Sequence, residues 1–346
     1  MAGATPKLIK ELREKSGAGM LDCKKALNEC NGDIEEAIKY LREAGLSKAA
    51  KKSSNVAAEG LVTILVNEDN TKATMTELNS QTDFVAKNEQ FVNLTKQITA
   101  HAQDNNLDDA EALAASSIEG QDFPTFLNEK IAVIGENLVA RKVTNVEGAV
   151  VNGYVHLGKV GVILAAKCDE AAKEKTTDLL KKIAMHAASM KPTVISYQDL
   201  DADFIESENK AIIADIEKEN EELVRLGKPL KNIPQFVSKV QLTDEAVEAA
   251  KAEMKEELIS QGKPEKIIDN IVAGKINRWI EDNSQLDKTH ALLSQTYVMD
   301  DSMTVEQAVK AVDASIELVE YVRFELGEGI EKKEEDFAAE VAAQMA

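Results

Sequence analysis

The sequence predicts an α+β protein: an N-terminal three-helix module, two duplicated α+β subdomains with small antiparallel sheets, protruding helical hairpins and a C-terminal helix. Three observations carry this. The 346 residues include only 17 Gly and 6 Pro, 4% are aromatic, and Ala, Glu and Lys are abundant. Such a chain is mostly helical, which excludes collagen, low-complexity disorder and an all-β sandwich. The order Glu-Gly, strand, turn, strand, helix, His-Ala occurs twice, opening at Glu59-Gly60 and at Glu147-Gly148. A Gly-Lys-Pro stop between charged helical patterns also occurs twice, at Gly227 and Gly262. Fixed-offset repeats of this kind mark duplicated units.

Residues 1–46 read as three short helices. Thr5 caps the first with Pro6 at its first position, and Gly17 and Gly19 stop it. The second runs from about Met20 to Glu29 and halts at Asn31-Gly32. Asp33, with Glu36 three residues on, opens the third, and Gly45 ends it. The polar stretch 47–57, with Lys48, Lys51 and Lys52, reads as a hinge or linker. The first subdomain spans 58–146. Its strands are Leu61–Val66 and Thr71–Leu78, followed by a helix to about His101, and Phe123–Lys142 reads as one further helix. The second subdomain spans 147–330, with strands Val150–Leu157 and Val160–Ala166 and a helix carrying Met185-His186-Ala187-Ala188. Inserted at about 200–290 are the two Gly-Lys-Pro copies, read as two helical hairpins. Pro234 in the first copy breaks or shortens its returning helix. A helix over 304–315, a strand over Leu318–Leu326 that returns to the second sheet, a turn at Gly327-Glu328-Gly329 and a short amphipathic helix, Phe337–Met345, within a C-terminal module 331–346 complete the chain.

Charge and composition narrow the function. Lys and Arg total 41 against 61 Asp and Glu, a net charge of −20. Such a chain repels nucleic acid and anionic membrane. The cysteines, Cys23, Cys30 and Cys168, are odd in number and without C-x-x-C spacing, which argues against a disulfide framework or zinc site and points to a reducing cytosol. The first residues lack a signal or transit pattern, and the longest apolar run, Val162–Ala166, is far short of the roughly 20 residues of a membrane span. The four histidines are scattered, with His101 and His186 in equivalent places of the two repeats, as packing or capping residues are. Gly327-x-Gly329 and Gly-Lys-Pro lack the rest of any nucleotide fingerprint, and the pairs Asp201/Asp203 and Asp300/Asp301 lack calcium-loop spacing. No catalytic group and no metal site is expected.

The most informative stretch is Gln81-Thr82-Asp83-Phe84-Val85-Ala86-Lys87-Asn88, between strand and helix in the first repeat; the second repeat has Lys167-Cys168-Asp169-Glu170 near there. Two readings stand. Thr82 or Asp83 caps the helix and Phe84 tucks inward, or Phe84 is an aromatic anchor for a partner beside a carboxylate.

The motifs Gly17-Ala18-Gly19-Met20-Leu21-Asp22-Cys23-Lys24-Lys25-Ala26-Leu27, Asn31-Gly32-Asp33, Thr82-Asp83-Phe84-Val85-Ala86-Lys87, Gly135-Glu136-Asn137, Met185-His186-Ala187-Ala188 and Arg323-Phe324-Glu325-Leu326-Gly327-Glu328-Gly329-Ile330-Glu331 together resemble the bacterial elongation factor Ts family over almost the whole chain. The resemblance implies a cytoplasmic guanine-nucleotide exchange factor for elongation factor Tu, not an enzyme, with no cofactor of its own: it acts on the GDP and Mg²⁺ that the partner holds. It implies a ubiquitin-associated-like N-terminal module with Met20 and Leu21 as contacts. Thr82, Asp83, Phe84 and Val85 are implied as the element that disturbs the Mg²⁺ and phosphate site, with Phe84 as the wedge. His156 is implied as a grip on a further partner domain, and Phe337 and Val341 as contacts from the tail. It leaves open a homodimer or a heterotetramer with the partner. The chain departs from the family pattern in its hairpins: the second Gly-Lys-Pro copy, with Val272-Ala273-Gly274, matches the usual one, and the first resembles an inserted duplicate. A ubiquitin-associated-like adaptor without exchange activity, or an enzyme on a small substrate, are the competing classes.

Overall fold

In the computed structural model residues 4–331 are described. The chain forms two compact units, one running to Ile163 and resuming at Val322, the other Leu164–Tyr321. Residues 147–163, expected with the later subdomain, fall in the first unit.

The first unit opens with helices α1 (Pro6–Ser16), α2 (Met20–Glu29) and α3 (Ile34–Lys52). Thr5 caps α1 by accepting the Leu8 amide at 3.3 Å, and Gly17 ends it in the left-handed region. Asp33 caps α3 through the Glu36 amide at 2.9 Å. Leu12, Cys23, Ala26, Leu27 and Ala37 form the module's buried core. The third helix does not stop at Gly45, and residues 47–52 are not a linker: α3 continues through them. Its far half packs on α7 (below). There a Cβ on Gly45 would stand 2.9 Å from the Ala132 Cβ, Arg42 pairs with Glu129, and Ala49 is buried in the main core. Gly45 is thus a close-approach residue and not a stop. Replacing it with Leu is expected to cost about 1–3 kcal/mol through overpacking, read as a lower melting temperature. Gly274→Ala, in an open helical position, should leave melting unchanged or raise it.

Next come β1 (Glu59–Val66), β2 (Lys72–Ser80), α4 (Asp83–Ala86), α5 (Glu89–Asp104), α6 (Ala110–Ala115), the two-residue strands β3 (Ser117–Ile118) and β4 (Gln121–Asp122), α7 (Phe123–Ile134), β5 (Val139–Glu147) and β6 (Val150–His156). The expected helix to Lys142 is overturned. Gly135 adopts φ 87° and caps α7, and Val139–Glu147 is a strand. Its β-branched alternation pairs antiparallel with β2, giving a sheet of order β1-β2-β5. β2 is central and buried from Ala73 to Ser80. Among its buried polar side chains the Thr76 hydroxyl meets that of Thr99 on α5 at 2.6 Å and Asn79 donates to Glu77 at 3.1 Å, while Asn79 Oδ1 is left without a partner. α5 lies on this sheet and contributes Phe91, Leu94, Ile98 and Ala102 to the core.

The chain passes between the units within β7 (Val160–Lys167) and again within β8 (Glu317–Glu325), strands of a second sheet of order β6-β7-β8. The second unit holds α8 (Lys173–Met190), α9 (Ala202–Arg225), α10 (Asp244–Ser260), α11 (Glu265–Asp282), α12 (Gln285–His290) and α13 (Val305–Val312). α10 and α11 form the expected hairpin over Leu258, Ile268 and Val272. The first Gly-Lys-Pro copy is not a helical hairpin: after Gly227 the chain returns without helix, its Lys231 amide and carbonyl both bonded by the Asn220 side chain at 2.7 and 2.9 Å. Pro234, which stands where the second copy has Asp269, lacks the N–H group that the interior of a returning helix needs. The tail helix expected at Phe337–Met345 lies outside the described residues.

Candidate partner-binding site

The first sheet ends where β2 reaches Ser80, and the chain turns through Gln81 into α4. Thr82 is extended and accepts the Val85 amide at 3.4 Å, as an N-cap does. The turn is braced from outside itself. Glu136, two residues past the end of α7, accepts the Gln81 and Thr82 amides at 3.1 and 3.0 Å through Oε2, and the Thr82 hydroxyl at 2.6 Å through Oε1. Asn137 donates its amide to the Gln81 side chain at 3.3 Å and its side-chain NH₂ to the Asn55 carbonyl at 2.8 Å.

One turn of helix has room for two inward residues here. Ala86 is buried and Val85 packs on the core. Asp83 and Phe84 take the outward places. Phe84 is 80% exposed, so the reading that tucks it inward is overturned. Asp83 pairs with Lys87 at 2.6 Å, and the hydrogen bond from the Lys87 ammonium holds its carboxyl below the ordinary range, with Lys159 adding a smaller pull.

The other expected contacts are dispersed. Met20 and Leu21 open α2 in the three-helix module and are 60% and 83% exposed. His156 ends β6, exposed, with its Nδ1 3.0 Å from the Tyr154 hydroxyl. Its neighbour Leu157 is 81% exposed and holds φ 51°, a conformation a Leu side chain seldom adopts. Phe337 and Val341 lie outside the described residues.

The remaining histidines serve structure. His186 is buried, accepts the Val298 amide at Nδ1 (3.2 Å) and so donates from Nε2 to Gln295 Oε1 (2.9 Å). Burial pushes its pKa down and keeps it neutral. His101 meets the Ser116 hydroxyl at 2.9 Å, and His290 stands edge-on to Phe204. Among the described residues no group of three His, Cys, Asp or Glu is arranged to hold a metal ion, and no helix is long and apolar enough to cross a membrane.

What this exposed, braced aromatic turn belongs to is settled by comparison. The family model described as Elongation factor TS matches residues 81–233 and 231–328. The chain belongs to the elongation factor Ts family. Proteins named Elongation factor Ts from Aliarcobacter butzleri (strain RM4018) and Wolinella succinogenes are 69% and 51% identical to it. Each alignment covers all of this chain and 99% or more of the relative. A third, from Campylobacter fetus subsp. fetus, is 55% identical over 98% of both chains. It is thus a translation elongation factor by family. In this elongation factor Ts chain two site neighbours escape a reading of the residues alone. Glu136 is visible only as part of a motif, since its partners lie 54 and 55 residues away. Leu157 carries one usable signal, an apolar residue immediately before the Gly158 turn.

Proposed function

We propose that this chain is the guanine-nucleotide exchange factor for elongation factor Tu and that Phe84 is its wedge. The single observation that carries the reading is an aromatic ring left 80% exposed on a turn whose backbone is hydrogen-bonded in place. A free ring of this size forgoes about 1.5–3 kcal/mol of burial, which a partner can supply. No covalent bond changes, so the chain is not an enzyme. It binds the nucleotide-free partner better than the GDP-bound one, and by linkage GDP then binds the complex more weakly by the same factor.

Nanomolar GDP binding corresponds to about 12 kcal/mol, and one aromatic anchor offsets only a few of these. The rest comes from dispersed contacts. The three-helix, ubiquitin-associated-like module docks through Met20 and Leu21. The Thr82–Val85 turn disturbs the partner's Mg²⁺ and phosphate site, with Asp83 beside the wedge. His156, at the second of two sheet-and-helix layers that stem from one duplicated plan, grips a further partner domain, and Phe337 and Val341 add contact. The chain needs no cofactor and works in the cytoplasm, as a homodimer or in a heterotetramer with the partner.

The test is release of a fluorescent GDP analogue from purified elongation factor Tu. Acceleration that saturates with this protein is expected. A release rate that stays at its spontaneous value would leave the family fold without the activity and bring the adaptor class forward.

A further inference from the structure

We infer that Glu136 is a positioning residue for Phe84: its carboxylate fixes the attitude of the Thr82–Val85 turn, so that the ring is presented rather than found by chance. The inference rests on the wedge reading above. It starts from a hydrogen-bond relay. Glu136 Oε1 takes the Thr82 hydroxyl proton at 2.6 Å, which leaves the lone pairs of that hydroxyl for the Val85 amide at 3.4 Å. Glu136 Oε2 takes two successive backbone amides, of Gln81 and Thr82. The carboxylate therefore grips the backbone immediately before Phe84 and, through Thr82, immediately after it. Charge-assisted acceptors are the stronger kind, and three on one carboxylate set direction as well as distance.

Glu136 is itself held. Lys52, the last residue of α3, donates to the Gly135 carbonyl, and Asn137 bonds both Gln81 and the Asn55 carbonyl. Residues 135–137 are thus a strut between the end of α3 and the wedge turn. α4 is a single turn of four residues, too short to hold its shape alone, since isolated helices need several turns. Phe84 meets little of its own chain, so its direction is set by the backbone on which it stands. A loose turn would sample many ring positions and lose rate by the fraction of time it is misaimed.

The test is a double-mutant cycle on GDP release at saturating factor, with Glu136→Ala and Phe84→Ala singly and together. E136A is expected to slow release roughly tenfold, the scale at which lost charge-assisted hydrogen bonds change a rate. In the F84A background the same change should slow it by less than about twofold. Glu136→Gln can turn its oxygen to the two amides and its NH₂ to the Thr82 hydroxyl, and it should recover most of the rate. Circular dichroism and melting check that each variant is folded. An E136A effect of full size in the F84A background would overturn the positioning role, as would E136Q as slow as E136A. If F84A alone leaves release unchanged, the wedge reading itself fails, a different outcome from either.

Discussion

Phe84→Ala is expected to slow GDP release from elongation factor Tu by roughly 30- to 1000-fold at saturating factor, with the melting temperature unchanged. The rate follows from removal of a central aromatic anchor, worth about 2–4 kcal/mol where such rings carry an interface. The unchanged melting follows from exposure: the ring is 80% exposed, and substitutions at such positions shift stability by about ±0.5 kcal/mol. The two readouts separate the functions of neighbours. Val85→Ala, one residue on, removes a side chain packed on the core and should lower melting as well as rate. Asp83→Ala removes the carboxylate paired with Lys87 and should act on rate alone. An unchanged release rate with normal binding of Phe84→Ala to the partner would sink the wedge role.

Caps and the β1–β2 hairpin were legible because their signals are local. Thr5 and Asp33 announce helix starts through a hydroxyl and a carboxylate that reach their own next turn. The β1–β2 pair is announced by β-branched runs flanking Asn67–Asn70, where Asn70 holds φ 56°. The misreadings share a different cause: tertiary contact overrides local preference. Gly45 is a helix breaker by propensity, yet α3 passes through it because the missing Cβ lets Ala132 of α7 approach. Leu138 continues the helical spacing of Phe126, Leu127, Ile131 and Ile134, so the stripe concealed a helix end at Gly135 and a third strand. At the site, the Thr82 cap was legible and the direction of Phe84 was not. A polar strand-to-helix turn is compatible with an inward or outward ring, and only the inward claims of Val85 and Ala86 decide it. The contact that Glu136 makes was illegible in principle, since a contact across 54 residues leaves no period in one sequence.

The second large effect concerns how the 327–329 turn is fastened within the first unit. Glu77 on β2 is fully buried, and its carboxylate collects Arg141 at 3.1 Å, Asn79 at 3.1 Å and the Gly327 amide at 2.9 Å, with Lys142 at 3.7 Å. Arg141 also donates to the Glu328 carbonyl, and Lys142 pairs with the Glu328 side chain at 3.3 Å. One buried anion thus fastens β5 and the 327–329 turn to the central strand. Glu77→Ala removes one partner of a buried pair, a change that costs about 3–5 kcal/mol because the remaining charge is left uncompensated. Arg141 keeps a quarter of its side chain exposed, so the expected loss is at the lower end, about 3 kcal/mol. For a unit of this size that lowers melting by about 6–12 °C. Glu77→Gln keeps an acceptor for the Gly327 amide and should lose less. Hydrogen exchange supplies the local check: the Gly327 amide should exchange faster in Glu77→Ala by more than amides in α10 and α11, which do not depend on this carboxylate. Equal acceleration everywhere would overturn the local fastening of this turn, and a loss below about 1 kcal/mol would show that the carboxylate is dispensable, because an exposed-type pair contributes no more than that.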